Sequence, residues 1–156
     1  MKASDDVLNL IIILAMLLLI CRIMLKEKNL NLKSKAPLIL MVIGFLLTIS
    51  IIHMYKDDST LYLYMIITCI IGFIFGLIRG TTMKISFNSR TQEWLKKGSP
   101  LTIIIFILGI IINIGIAKFF FPSYVTGLDS IMTTLHIGIT LYAAKFILRM
   151  KVTSFQ

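Results

Sequence analysis

Acidic residues are scarce in this chain of 156 residues: 7 Asp and Glu stand against 16 Lys and Arg, and charge of either sign makes up only 15%. Soluble domains carry about 25%. With 58% hydrophobic residues and a mean hydropathy of +0.95, an ordinary water-soluble fold is excluded and an integral membrane protein is indicated. Cysteine is scarce too. Cys21 and Cys69 lie far apart inside apolar runs with no CxxC, so neither a disulfide framework nor a zinc site is expected. With only His53 and His136, a metal site lacks its ligands. Also missing are paired carboxylates, a nucleophile beside a base, an HExxH and a phosphate-cradling loop followed by Lys and Ser or Thr. No catalytic residue, cofactor or enzymatic activity is therefore expected. No internal repeat or Gly/Ser linker divides residues 1–156, which read as a single membrane domain.

What is present is a set of long apolar runs. A helix crossing ~30 Å of hydrocarbon needs roughly 20 mostly apolar residues, and residues 7–25, 36–55, 59–78, 98–117 and 130–148 meet or nearly meet that length. The expected fold is an all-α membrane protein of five transmembrane helices. The first run is read as retained rather than as a signal peptide, because its positive charges follow the apolar stretch instead of preceding it. Asp and Glu are absent from all five runs, which argues against a carboxylate proton or ion relay.

Lys and Arg divide unevenly between the two ends of these runs. Thirteen of them, from Arg22 through Lys35, Arg79 through Lys97 and Lys145 through Lys151, share one side; Lys2, Lys56 and Lys118 fall on the other. The positive-inside rule places the N-terminus outside and the C-terminus in the cytoplasm of a bacterial cell. The basic surplus thus reports topology, and nucleic acid is not an expected partner. Expected partners are the lipid bilayer and either a membrane protein or a second copy of the chain. Ser99–Pro100, Asp58–Ser59 and Asp129–Ser130 offer helix caps at the run boundaries, and Pro37 opens the second run.

Between the third and fourth runs, Met83, Ile85 and Phe87 alternate with Thr82, Lys84 and Ser86. The turn-forming residues Asn88 to Thr91 follow, then Glu93, Trp94 and Leu95. This period of two predicts a short cytoplasmic β-hairpin over 82–97. A solvated loop or an interfacial helix are the alternatives, and Thr, Ile and Phe favour strand. The lysine-rich stretch from Lys26 to Lys35 is accounted for by anionic headgroups, at about 1 kcal/mol per basic side chain.

Gly72, Gly76 and Gly80, spaced by four, line up on one helix face and create a groove for close helix packing. The occupant is a neighbouring span, another copy or another protein, and Gly109, Asn113 and Ala117 form the candidate facing stripe. Polar residues inside hydrocarbon are a second signal. Thr48, Ser50, Thr68, Asn113, Thr133 and His136 fall at similar depth, with Thr133, His136 and Thr140 on one helix face. A cluster of Asn113, Thr133, His136 and Thr140 either bonds the helices together or lines a small outward-opening polar pocket. Arg79, at the negative end of a helix dipole, and Trp94 are read as anchors at the inner interface.

The run Gly76, Leu77, Ile78, Arg79 and Gly80, followed by the hairpin-like stretch, Gly98 and a further span, resembles the CcdC-like family of small bacterial membrane proteins. The resemblance covers residues 70–115 and carries no catalytic residues with it. Haem or thiol chemistry does not follow, since CxxC and CxxCH are both missing. The expected function is that of a non-enzymatic accessory or scaffold protein of the bacterial cytoplasmic membrane. The alternatives are a small-solute binding or transport module using the polar cluster, or a toxin-immunity protein.

Overall fold

The computed structural model describes residue 22 and residues 24–55, 59–120 and 127–155. These residues form four helices, α1 (Ala36–Met54), α2 (Ser59–Thr82), α3 (Pro100–Phe120) and α4 (Leu128–Thr153). Three short strands accompany them: β1 (Lys28–Asn29), β2 (Lys84–Asn88) and β3 (Glu93–Lys97). Each helix is long and apolar enough to cross a membrane. Four of the five expected helices thus form among the described residues. The run at 7–25 lies outside them except for Arg22, Met24 and Leu25.

Three helices extend past the apolar runs that announce them, and for α2 and α4 backbone chemistry accounts for it. At the end of α2, Lys151 Nζ donates to the carbonyls of Gly80 (3.1 Å), Thr81 (2.7 Å) and Met83 (2.8 Å). Those carbonyls have no acceptor role within the helix. The clamp comes from α4, so both helices run beyond the expected ends at 78 and 148 in contact with each other. At the start of α3, Ser99 Oγ accepts from the Thr102 amide (3.2 Å) while Thr102 Oγ1 accepts from the Ser99 amide (3.0 Å), a reciprocal cap before Pro100. At α4 the cap residue is Gly127, with φ 81°, rather than Asp129.

The hairpin forms, with one addition. β2 and β3 pair antiparallel around the turn at 89–92, setting Phe87 opposite Trp94 with ring centroids 5.2 Å apart. Asn88 Oδ1 accepts from the Arg90 amide, and Gln92 takes the left-handed conformation that closes the turn. β1 then pairs with the free edge of β3, giving a three-stranded sheet ordered β1-β3-β2. The lysine-rich stretch is therefore partly strand. Glu27 accepts from Ser86 Oγ (3.1 Å) and Glu93 from Asn29 Nδ2 (2.7 Å), tying the segment to the hairpin.

The helices bury a core of Ile52, Leu61, Tyr64, Met132, Leu135 and Ile139, and small and polar residues share the buried faces with it. The buried face of α1 is Gly44, Thr48 and Ile52, and that of α2 includes Thr68, Gly72, Gly76 and Gly80. Large apolar residues such as Ile39, Leu46, Leu63, Ile66, Phe73 and Ile104 point outward. Lipid tails are as apolar as leucine, so association relies on close backbone contact and interhelical hydrogen bonds. α4 is the common partner. A Cβ on Gly76 would lie 2.6 Å from both Ala143 Cβ and the Thr140 carbonyl oxygen; one on Gly80 would lie 2.7 Å from Ile147 Cβ. The glycine groove is thus filled by α4 of the same chain, and the proposed facing stripe Gly109, Asn113 and Ala117 is corrected. Gly109 instead meets His136 and Phe75. On its other side α4 meets α1, where a Cβ on Gly44 would lie 2.7 Å from Leu135 Cα and one on Gly138 2.7 Å from Met41 Cα.

Contact order along the chain gives the helix directions. Gly72, Gly76 and Gly80 meet His136, Thr140 and Ala144 in ascending order, so α2 and α4 run parallel. Thr68 meets Asn113 while Thr82 meets Thr102, so α2 and α3 run antiparallel. All three strands therefore gather at one end of the bundle, with the start of α1 and the end of α4.

Gly76→Ala is expected to lower thermal stability in detergent by about 1–3 kcal/mol through overpacking. Gly115 has open space around it, so Gly115→Ala is expected to hold stability or raise it by helix propensity. Equal effects of the two substitutions would refute the groove assignment.

Candidate functional site

The first candidate cluster lies inside the helix bundle. Asn113, His136 and Thr140 are all fully buried, whereas Thr133 is only half-buried. Thr68 Oγ1 donates to Asn113 Oδ1 at 2.9 Å, Tyr64 Oη to the Asn113 carbonyl at 3.5 Å, and Thr140 Oγ1 to the Gly72 carbonyl at 3.1 Å. These bonds join α2 to α3 and α2 to α4. His136 sits between Gly72 and Gly109, which leave room for its ring. Neither of its nitrogens has a hydrogen-bond partner among the described residues, although the Thr68 carbonyl approaches the ring. His136 therefore does not bond Asn113.

The second candidate emerges from Arg79. It was expected at the interface with lipid phosphate, but it is 6% exposed, one turn before the end of α2 and between the helices and the sheet. Its guanidinium carbon lies 4.5 Å from the centroid of the Phe106 ring on α3. Nε and Nη1 are buried with no hydrogen-bond partner among the described residues. Buried guanidinium donors left unmade are costly, at about 1–3 kcal/mol each even for neutral groups, and a cation–π contact returns about 2 kcal/mol when desolvated. The ring alone does not balance the burial.

Arg79 faces two cavities that share Met83 and Lys96 as their common wall. The first, of about 190 Å³, adds Ser34, Asn31 and Lys145 with the apolar side chains of Leu141 and Leu148. The second, of about 140 Å³, adds Lys26 and Lys28. Lys145 Nζ reaches the Ser34 carbonyl, which pins the segment before α1 to α4. Lys96 is half-buried on β3. Its pKa is lowered from the ordinary lysine value, first by burial and then by the positive charges of Arg79, Lys28 and Lys145. Glu27 and Glu93 bond the sheet instead, and neither lines these cavities. The arrangement concentrates cations around a buried fork of donors, and among the described residues no carboxylate lines either cavity. Such a donor set has the chemistry to complement an anion.

Sequence reasoning found Arg79 but gave it the wrong surroundings. It missed Lys96, Lys145 and Ser34 as neighbours because they come from three separate segments. Trp94, the other expected anchor, is half-buried on β3, its ring 5.2 Å from Phe87 and 6.1 Å from Phe155. Gly44 and Gly138 were also passed over; their signal was a lone glycine in each of two apolar runs.

Comparison of the chain with protein-family models, with curated proteins and with solved structures finds no match. The CcdC-like resemblance therefore rests on the residues that suggested it.

Arg79→Met is expected to raise the thermal stability of the purified, anion-free protein, because two orphaned donors and a buried charge outweigh one ring contact. Thr68→Val is expected to lower it by about 0.6 kcal/mol, the average for an interhelical hydrogen bond in a membrane protein. Thermal unfolding in detergent without phosphate or sulfate measures both, and a loss of stability in Arg79→Met would make Arg79 a structural strut.

Proposed function

We propose that this chain is a non-enzymatic accessory protein of the bacterial cytoplasmic membrane that holds an anionic group at the sheet end of its helix bundle. The observation that carries the proposal is the buried guanidinium of Arg79, unpaired among the described residues and facing cavities that Lys96, Lys145, Lys26 and Lys28 help to line. Nucleophile, base and metal ligands play no part in it. This reading assigns the binding role to Arg79 in place of His136, whose ring lies between Gly72 and Gly109.

Orientation follows from the same charges. The segments holding the 13 basic residues of the majority side gather at the sheet end. In the proposed topology that end faces the cytoplasm, with the N-terminus outside, where anionic headgroups and phosphate metabolites are both abundant. The CcdC-like resemblance at Gly76, Arg79 and Gly80 fits this reading, since Arg79 lies between two glycines that let α4 approach. A scaffold role toward a membrane partner or a second copy, transport and toxin immunity are all compatible with an anion held in this way, and the anion is the part of the reading to test first.

The test is thermal stabilisation by inorganic phosphate against chloride at constant ionic strength, comparing the wild type with Arg79→Met. Phosphate is expected to stabilise the wild type and leave the variant unmoved; equal response in the two proteins would refute the site. A pH series adds an independent reading. Lys96 binds the anion as a cation, so affinity falls as pH rises through its lowered pKa, below the usual lysine range. In the anion-free protein the sign is opposite. A depressed lysine pKa penalises the fold while the group is charged, so stability rises over the same window. Both trends should shrink in Lys96→Gln.

A further inference from the structure

The lysines at the sheet end differ in what holds their charge. Of the three half-buried lysines among the described residues, Lys145 donates to the Ser34 carbonyl and Lys151 to the carbonyls at the end of α2. Those bonds favour the ammonium form. Lys96, the third, lines both cavities at Arg79 and is surrounded there by the positive charges of Arg79, Lys28 and Lys145, with the exposed Lys26 on the wall of the second cavity. Burial and these cations favour its neutral amine. A neutral amine is a nucleophile, and an ammonium ion is not.

The same surroundings favour a negative charge once the amine has reacted. Nε and Nη1 of Arg79 are buried without a partner among the described residues, and no carboxylate lines either cavity. Glu27 and Glu93 are engaged by Ser86 and Asn29 on the sheet. A carboxylate built onto Lys96 would supply the acceptor that Arg79 lacks, in the fork geometry of a guanidinium–carboxylate pair. The electrophile that turns a lysine into a carboxylate without a cofactor is carbon dioxide. It is small and uncharged, so neither the apolar surroundings nor the cations keep it out. Cavities of about 190 and 140 Å³ beside Lys96 leave room for it, since a water-sized group takes about 30 Å³.

Resting on the anion-binding reading, we propose that Lys96 is a carbamylation site, whose side chain takes up carbon dioxide as a carbamate that pairs with Arg79 and closes the site to free anions. In the step, the lone pair of neutral Lys96 Nζ forms an N–C bond to the carbon of carbon dioxide. One C–O π pair withdraws onto oxygen, and the nitrogen gives a proton to water. The products are the lysine carbamate and H⁺; nothing is oxidised or reduced. The side chain thereby passes from cation to anion, and the cavity that attracted an anion comes to hold its own. Carbon dioxide and a free anion then compete for Arg79, which makes the anion site responsive to the level of carbon dioxide. This is a reversible modification of the chain and not a turnover.

The experiment uses the full chain in a non-ionic detergent, equilibrated with isotope-labelled carbon dioxide at fixed partial pressure and read by carbon NMR, with thermal stabilisation by inorganic phosphate measured in parallel. The wild type is expected to show a carbamate resonance that grows as pH rises through the lowered pKa of Lys96. That resonance should be missing from Lys96→Arg, which keeps the charge and loses the nucleophile, and severalfold weaker in Arg79→Met. Carbon dioxide should weaken stabilisation by phosphate severalfold in the wild type. In Lys96→Arg the response to phosphate, whatever its size, should not depend on carbon dioxide. A carbamate spectrum unchanged in Lys96→Arg would place the reaction at another amine and overturn the proposal. Equal competition in the two proteins would mark bicarbonate acting as a free anion and overturn it as well. Phosphate stabilisation with no carbamate resonance would overturn the modification and leave the anion site intact, whereas loss of both responses would overturn the anion site itself.

Discussion

Every other feature of this molecule depends on how closely α4 can approach α1 and α2. In hydrocarbon the burial of leucine against leucine gains nothing over leucine against lipid, so association needs short backbone separation and hydrogen bonds. Gly44, Gly72, Gly76, Gly80 and Gly138 supply the separation: a Cβ at each would fall about 3 Å or less from an atom of the facing helix. Thr68, Asn113 and Thr140 supply the bonds. Many large side chains, Leu46, Leu63 and Ile104 among them, face outward, while Leu61, Tyr64, Met132 and Leu135 fill the core between the helices.

The same close contact sets up the charged end. Gly80 places the end of α2 against α4, where Lys151 covers its carbonyls. Arg79, one residue earlier, is thereby turned inward against Phe106 instead of reaching solvent. β3 runs directly into α3 through Gly98, whose amide donates to the Met24 carbonyl at 3.1 Å, and so Lys96 is held over the guanidinium. Helix packing, sheet and cationic cavity form one continuous construction, in which a small shift of α4 would alter the spacing of Arg79, Lys96 and Lys145 together.

This arrangement distinguishes two kinds of buried polar group. Asn113 and Thr140 engage neighbouring helices through hydrogen bonds, although Nδ2 of Asn113 has no partner among the described residues. Arg79 carries a full charge and faces open volume. A buried group that is hydrogen-bonded costs little, whereas an uncompensated charge is strongly unfavourable. The difference is why the site is placed at Arg79 and not at His136, whose ring lies between Gly72 and Gly109 and lines neither of the cavities at Arg79.

Much of the architecture was legible in the residues themselves. Apolar run lengths located the four described helices, because hydrocarbon thickness imposes a length on any spanning helix. The alternation from Met83 to Phe87 located the hairpin, because side chains on a strand alternate between faces. The spacing of Gly72, Gly76 and Gly80 showed that a face was built for close approach. Local sequence could not say which helix fills that groove, since small residues admit any neighbour and chain topology makes the choice. Nor could it assemble Arg79, Ser34, Lys96 and Lys145, which belong to four segments, or show that β1 would join the hairpin edge. Run length and periodicity are properties of one segment and were determined by the sequence alone; the partner of the groove and the environment of Arg79 depend on distances between segments, which only the tertiary structure decides.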